Sequence, residues 1–399
     1  MKALMVHPGT QYAHRLACQL HRHKSLYKFV TGIAFSPNDP LLRLLPGSIK
    51  KKLANRILDC PVPSSSIKRI PFPEIVSLRE LNRGVVAEDS LFRRNRSFQE
   101  KISQKLLDSS DVVVGFDTSS WILVDRVKKP FILDQSIAHP EEKKAVFDSL
   151  RSQYPSWTED IPLKADEHVR TEQHEHNKAS KIVVASSFTR NSLVKNGVDP
   201  SKIIVNPYGV GESFFRSKER KPKGERMRFV YLGILGARKG LPFLLETWRE
   251  NSMWQHAELW LAGPANSNAI DEVNQVPAVT YKGRLPLNEI PSLLDQCDCL
   301  VFPSFFEGFG QVILEAMAAG LSVISTEATA APDIIENNVD GIVIRPGDKK
   351  ALGESLKRMA LDLDECYAMG LAAREKAKSF SWNAYGDRWN NILTQLTRG

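Results

Sequence analysis

Cysteine is scarce: there are five, at positions 18, 60, 297, 299 and 366, an odd number with no C-x-x-C pair. That composition gives no disulfide frame and no zinc site, and it predicts reduced, mostly buried thiols in a cytosolic protein. Long apolar runs are lacking as well. None approaches the roughly 20 residues that span a bilayer. The apolar stretch inside MKALMVHPGT is too short for a secretory signal and predicts a first strand. Acid pairs spaced for a metal are almost missing. The one D-x-D, Asp362-Leu-Asp364, sits in a C-terminal helical stretch and reads as surface.

What is present suits a soluble globular chain, with 42% hydrophobic and 25% charged residues. At 399 residues there is room for two domains, each with its own core. Charge is uneven. Residues 1–130 carry 22 Lys and Arg against 11 Asp and Glu, while the remainder is slightly acidic. A basic N-terminal half points to an anionic membrane surface, a charged acceptor or nucleic acid, or else to a solvated face with no partner. Segment 41–58, LLRLLPGSIKKKLANRIL, mixes apolar residues with Arg43, Lys50, Lys51, Lys52 and Arg56. It predicts a basic amphipathic element lying on an anionic membrane interface or on the domain surface. Arg93, Arg94 and Arg96 add a second basic cluster. Without interleaved aromatics or a nucleic-acid module, no nucleic acid is expected as partner.

The chemistry concentrates between Cys299 and Thr326, CLVFPSFFEGFGQVILEAMAAGLSVIST. An apolar strand (299–302) is stopped by Pro303-Ser304, and a loop with Gly308 and Gly310 leads into a helix from Gln311 to Ala319. Gly320 closes that helix, and a second strand follows over 321–325. In such a βαβ unit the helix start lies at the carboxyl edge of the sheet, where its N–H groups and dipole favour a phosphate. Glu307 and Glu315 bracket that start. A carboxylate aimed at a phosphate would repel it, so both suit acceptors for neutral hydroxyls of a ribose and a sugar. The plainer alternative makes Glu307 a cap and Glu315 a solvated helix residue.

A second phosphate-suited stretch is Arg228–Leu232 followed by Gly233-Ile-Leu-Gly236-Ala-Arg238-Lys239-Gly240. This is a strand, a glycine turn and two adjacent cations before a helix over 241–249. Close backbone approach and positive charge are what a diphosphate needs. Nearer the N-terminus, strand 2–7 turns through Pro8-Gly9-Thr10 into a helix near Gln11, and Gly9 lets backbone approach a ligand. Residues 28–35 predict a second strand. Strand 131–134 leads to Gln135-Ser-Ile-Ala-His139, which places His139 on the ligand side of a parallel sheet, although a lone histidine is more often structural. His168, His174 and His176 fall in a polar helix over 166–178 and are expected to be surface residues. A helix is expected over 287–296, and residues 217–228, rich in Lys and Arg, read as a linker.

FFEGFGQVILEAMAAG closely resembles the E-x7-E signature of the retaining family 4 glycosyltransferases, which have the GT-B fold. The resemblance implies that Glu307 faces the donor sugar and Glu315 the nucleotide ribose. Backbone N–H groups of Gly308, Phe309, Gly310 and Gln311 would meet sugar and phosphate. Arg238 and Lys239 match the family's phosphate-binding pair, and Gly9 and Gly236 its glycine turns. The segment VTYKGRL resembles the one whose backbone reads the base, at Arg284 and Leu285. His139 resembles the family's N-domain histidine beside the reacting sugar. Asp333 stands where most relatives carry Glu, and the family's paired glycines near residue 9 are one here. The resemblance is weakest from 36 to 108, where acceptor recognition is expected.

The expected architecture is α/β: two Rossmann-like doubly wound domains facing across a cleft. Residues 1–210 would form the acceptor domain and 211–379 the donor domain, with the terminal helix, 380–399, packing back on the first. The implied activity is retaining transfer of a hexose from a UDP- or GDP-sugar to a hydroxyl acceptor of a glycolipid or cell-surface polysaccharide. It would need no cofactor or metal, and it would take place in the cytoplasm or at the inner face of the cytoplasmic membrane. Rival expectations are a nucleotide-sugar epimerase or phosphorylase on the same fold, a non-catalytic sugar-nucleotide binder, and a membrane-surface or nucleic-acid-binding protein resting on the basic half.

Overall fold

The computed structural model describes residues 1–10, 12–47, 50, 53–158, 165–215 and 226–398. Short, buried runs rich in Val, Ile, Leu and Phe form two sheets whose strand pairs are all parallel. Such runs suit sheets covered on both faces. The first contains β1 (Ala3–Val6), β2 (Leu26–Thr31), β3 (Ile67–Arg69), β4 (Val112–Phe116), β5 (Phe131–Gln135), β6 (Lys181–Val184) and β7 (Ile203–Val205), in the order β3-β2-β1-β4-β5-β6-β7. The second contains β8 (Met227–Leu232), β9 (Ala257–Ala262), β10 (Val279–Tyr281), β11 (Cys299–Phe302), β12 (Ser322–Thr326) and β13 (Ile342–Ile344), in the order β10-β9-β8-β11-β12-β13.

Both orders reverse direction in the middle, between β1 and β4 and between β8 and β11. In doubly wound sheets the ligand crevice lies outside the carboxyl ends of the strands at that reversal. Two such edges meet here, and the site is built from the loops that leave them.

The C-terminal helix, α11 (Trp382–Arg398), returns to the first domain. It packs on α1 (Ala13–Arg22), burying Tyr385, Trp389 and Leu393. Arg388 donates to Asn206 Oδ1 and to Pro207 O, both at 2.6 Å, and Val210 N donates to Phe380 O at 2.9 Å. The tail is thereby fastened to the chain just where it leaves β7.

Several expectations need correction. Cys18 and Cys60 form a disulfide with Cα atoms 5.8 Å apart, 42 residues apart in sequence, whereas Cys297, Cys299 and Cys366 are buried free thiols. No local spacing announces that pair, because the fold itself brings α1 beside the 54–62 loop. Segment 41–58 is not one helix. A short α2 (Pro40–Leu44), capped by Asp39, ends at Leu45, whose extended backbone is what the following Pro46 imposes. A separate 3₁₀ turn covers Ala54–Arg56, and residues 48–49 and 51–52 lie outside the described residues. The second strand runs over Leu26–Thr31, starting two residues and ending four residues earlier than the expected 28–35. The linker ends before Met227, and its 217–225 portion lies outside the described residues. The helix expected over 287–296 is confined to Ile290–Leu294.

The histidine helix, α6 (Asp166–Lys178), buries His168 and His176 instead of exposing them. It turns a polar face inward: His168 stacks on Phe92 with ring centroids 4.1 Å apart, and His176 Nε2 lies 2.9 Å from Gln135 Oε1. Among the described residues no group of three or more His, Cys, Asp or Glu side chains is placed to hold a metal ion. Asp362 accepts from Glu365 N at the start of α10 (Leu363–Ala377), a capping role.

Candidate active site

A cleft of about 1150 Å³ opens between the two sheet edges. Its first wall comes from the loops after β1 (Thr10, Tyr12), β4 (Asp117, Thr118) and β5 (Ser136, Ile137), with Arg15 of α1 and Lys143 of α5 (Pro140–Gln153). Its second wall comes from the loop between β8 and α8 (Leu241–Glu250), with Arg238 and Lys239, and from the run Glu307–Val312 after β11, with Glu315 one turn into α9 (Gln311–Ala318). Both walls therefore sit at the sheet reversals.

Glu307 organises the second wall. Lys239 Nζ donates to both its carboxylate oxygens, at 2.6 and 2.7 Å, and Arg238 Nη1 donates to Oε1 at 2.6 Å. Burial works against ionising Glu307, but the charges and hydrogen bonds of Lys239 and Arg238 outweigh it and hold the carboxyl below its usual range. Two cations share one carboxylate, so the cluster keeps a net positive charge that an entering anion would neutralise. The loop strands are tied as well: Phe305 N donates to Arg238 O at 2.9 Å and Glu307 N to Ala328 O at 3.0 Å.

The glycines of this loop serve distinct needs. Gly310 has φ +85° immediately before α9, a left-handed conformation that a side chain strains. It turns the chain into the start of α9, where Gln311 and Val312 line the cleft and the first N–H groups of a helix lack i−4 acceptors. Gly308 makes the close approach. A Cβ there would lie 1.9 Å from Ser136 O of the opposite wall, and Gly308 O accepts from Ser186 Oγ at 2.5 Å and Thr189 Oγ1 at 3.2 Å. Gln311 Nε2 donates to Gly209 O at 2.9 Å. Asp333 accepts from Ser187 N at 2.8 Å and also from its hydroxyl. The domains are closed on each other, with the 307–311 loop as the seam.

Glu315 has a different electrostatic setting. Burial pushes its carboxyl up to about 7. Tyr12, which lines the cleft, has its hydroxyl raised by burial and then by the fields of Glu315 and Glu307. Its ring lies 3.9 Å from that of Tyr208, so an aromatic pair forms the floor between the two walls.

The structure thus brings Arg238, Lys239, Glu307, Gly308, Phe309, Gly310, Gln311 and Glu315 to one cleft. It does not bring in all the residues singled out by sequence. His139 is 2% exposed and lies behind the wall. Its Nδ1 accepts from Glu141 N at 3.2 Å, capping α5, and its ring is 5.4 Å from that of His176. Gly9, Gly236, Arg284 and Leu285 are not in the lining either. Gly9 and Gly236 lie in the turns that carry Thr10 and Arg238, whereas Arg284 is exposed on the loop after β10.

Sequence reading missed Tyr12, Asp117, Lys143 and Tyr208. Two of these had a signal: Asp117 directly follows a buried strand, and Lys143 lies one turn beyond His139. Glu175 had none. From α6 it accepts from Thr118 N at 2.9 Å and Ser120 N at 2.6 Å, holding the loop that presents Asp117.

Comparison with known proteins agrees with this geometry. Residues 226–362, the segment carrying the second wall, match the family described as glycosyl transferases group 1. The amylovoran biosynthesis glycosyltransferase AmsK of Erwinia amylovora is 27% identical over 274 residues, covering 63% of this chain and 67% of that one. Among solved structures, sucrose-phosphate synthase of Thermosynechococcus elongatus superposes with a TM-score of 0.66 at 17% identity over 99% of both chains. HepE of Anabaena, solved with UDP-glucose, gives 0.61 at 14% identity over 99% of this chain and all of that one. The fold is GT-B, and these similarities support a GT-B glycosyltransferase.

Proposed function

We propose that the protein is a retaining glycosyltransferase of the family 4 type that moves a hexose from a nucleoside-diphosphate sugar to a hydroxyl acceptor. The observation that carries this is the Arg238–Glu307–Lys239 cluster at the start of α9, a positively charged nest facing the cleft. The donor diphosphate would take over Arg238 and Lys239, and the first N–H groups of α9 would add to its binding. Glu307, released from full pairing, would accept from sugar hydroxyls, and Glu315 from the ribose. Cations held in place before reaction stabilise the charge that grows on the leaving diphosphate, and the closed seam keeps water from the sugar. The acceptor would enter along Tyr12, Arg15, Asp117 and Lys143. No side-chain nucleophile is assigned: the acceptor hydroxyl attacks from the face the phosphate leaves, and a phosphate oxygen takes its proton, which preserves configuration. A UDP- or GDP-hexose fits, in keeping with the UDP-glucose bound by HepE. A glycolipid or surface-polysaccharide acceptor fits a relative named for amylovoran biosynthesis.

The test is incubation with UDP- and GDP-hexoses and a panel of lipid and oligosaccharide acceptors, following nucleoside diphosphate release and the anomeric configuration of the product by NMR. Transfer with retention supports the proposal. Nucleotide binding with an epimerised or phosphorolysed sugar, or with no turnover, would replace it by one of the rival activities.

A further inference from the structure

Helix α3 (Pro71–Asn82) is built inside out. Its buried positions are Pro73, Glu74 and Ser77, whereas Phe72, Ile75, Val76 and Leu78 are 63%, 40%, 36% and 46% exposed. Phe72, Ile75, Val76 and Arg79 follow the i, i+3, i+4, i+7 spacing of a single helix face. The inward polar side chains are satisfied. Glu74 accepts from Arg56 and from Arg94, the latter at 3.3 Å, and Ser77 Oγ lies 2.9 Å from Ser90 Oγ of α4 (Ala87–Glu100). The inversion is therefore a settled packing arrangement whose outer face is apolar. The feature is also regional. Eight of the fourteen large hydrophobic side chains exposed among the described residues fall between 41 and 91, the others including Leu41, Leu44, Val86 and Leu91.

Charge decides what could cover this face. Residues 41–105 carry fourteen Lys and Arg against six Asp and Glu, so two copies of this region would repel each other. Arg79 continues the apolar face, Arg83 follows the helix end, and Lys101 Nζ lies 5.7 Å from the Phe72 ring. Apolar side chains fringed by long cations match an anionic bilayer interface, where the rings and branched chains enter the acyl boundary and the cations reach the headgroups.

We propose that the outer face of α3, centred on Phe72, Ile75 and Val76 and fringed by Arg79, Arg83 and Lys101, docks on an anionic lipid surface. The buried side of the same helix holds Arg56, next to Ala54 and Asn55 in the cleft wall. Docking α3 would thus bring the acceptor side of the cleft to the membrane.

Co-sedimentation of the full chain with vesicles tests this without any assay of transfer. Wild type is expected to bind phosphatidylglycerol/phosphatidylcholine vesicles at low salt and to bind pure phosphatidylcholine far less. The double variant Phe72→Asp/Ile75→Asp should lose anionic-vesicle binding by more than about tenfold, since it removes buried apolar area and adds repelled charge. It should keep the wild-type melting temperature, because both positions are exposed. Arg79→Glu/Arg83→Glu should weaken binding and its salt dependence. No binding to anionic vesicles at low salt overturns the proposal, as does wild-type binding by the Phe72/Ile75 variant. Lipid-free self-association abolished by that variant would assign the face to a second copy and overturn it equally.

Discussion

At the scale of single residues, the two glutamates of the 307–315 stretch differ because their neighbours differ. Glu307 is held ionised by two cations, whereas Glu315 is pushed by burial up to about 7. For Glu315 the unfolded carboxyl releases its proton from its ordinary value near 4.5, while the folded one keeps it until about 7. The folded state binds more protons across that window, so stability falls as pH rises through it. Glu315→Gln removes this slope. The variant is expected to match wild type near pH 4 and to be more stable by about 1–3 kcal/mol above pH 7, read from urea unfolding at each pH. Equal pH dependence of the two proteins would contradict the setting assigned to Glu315. The placement of the acid pair, of Gly308 and Gly310 and of the cation pair at one cleft was legible because each residue type suits the local chemistry. His139 was legible only as a position beyond a strand end. Its use as a helix cap depends on a rotamer and on neighbours from α6 and α7 (Ser187–Lys195) that no spacing reports.

At the scale of elements, the seam between the domains rests on Gly308, whose missing side chain admits Ser136 O. Gly308→Ala should leave both domains folded by circular dichroism yet prevent full closure. The added methyl cannot be relieved without moving backbone, an overpacking penalty of about 1–3 kcal/mol. A larger radius of gyration in small-angle scattering is expected, with transfer reduced by at least about tenfold because reacting groups are no longer aligned; an unchanged radius would contradict the seam. The Cys18–Cys60 bridge clamps α1, which supplies Arg15, to the loop that follows Asn55. Reduction, or Cys60→Ser, should cost about 2–4 kcal/mol, seen as a lower melting temperature with dithiothreitol in wild type only. Elements such as β11 and α9 could be read from sequence because an apolar run, a Pro-Ser stop and a Gly cap all agree there. The disulfide and the inverted α3 could not: the first is a long-range pairing, and the second breaks the rule that helices bury their apolar face.

At the scale of the whole molecule, two doubly wound sheets place their reversal edges opposite each other, and the tail helix fixes the first domain to the chain segment that leaves it. That architecture followed from alternating strands and helices in sequence. The relative placement of the walls did not, because it depends on contacts such as Asp333 to Ser187 that join residues 146 apart. The proposed activity depends on the cation cluster serving as a diphosphate site. Thermal unfolding of wild type and Lys239→Ala with UDP, GDP, ADP and their hexose conjugates measures this most directly. A nucleotide at 100 times its Kd should stabilise wild type by about 2.7 kcal/mol and leave Lys239→Ala nearly unmoved. An equal shift in both proteins, or none in wild type with any nucleotide, would contradict the assignment.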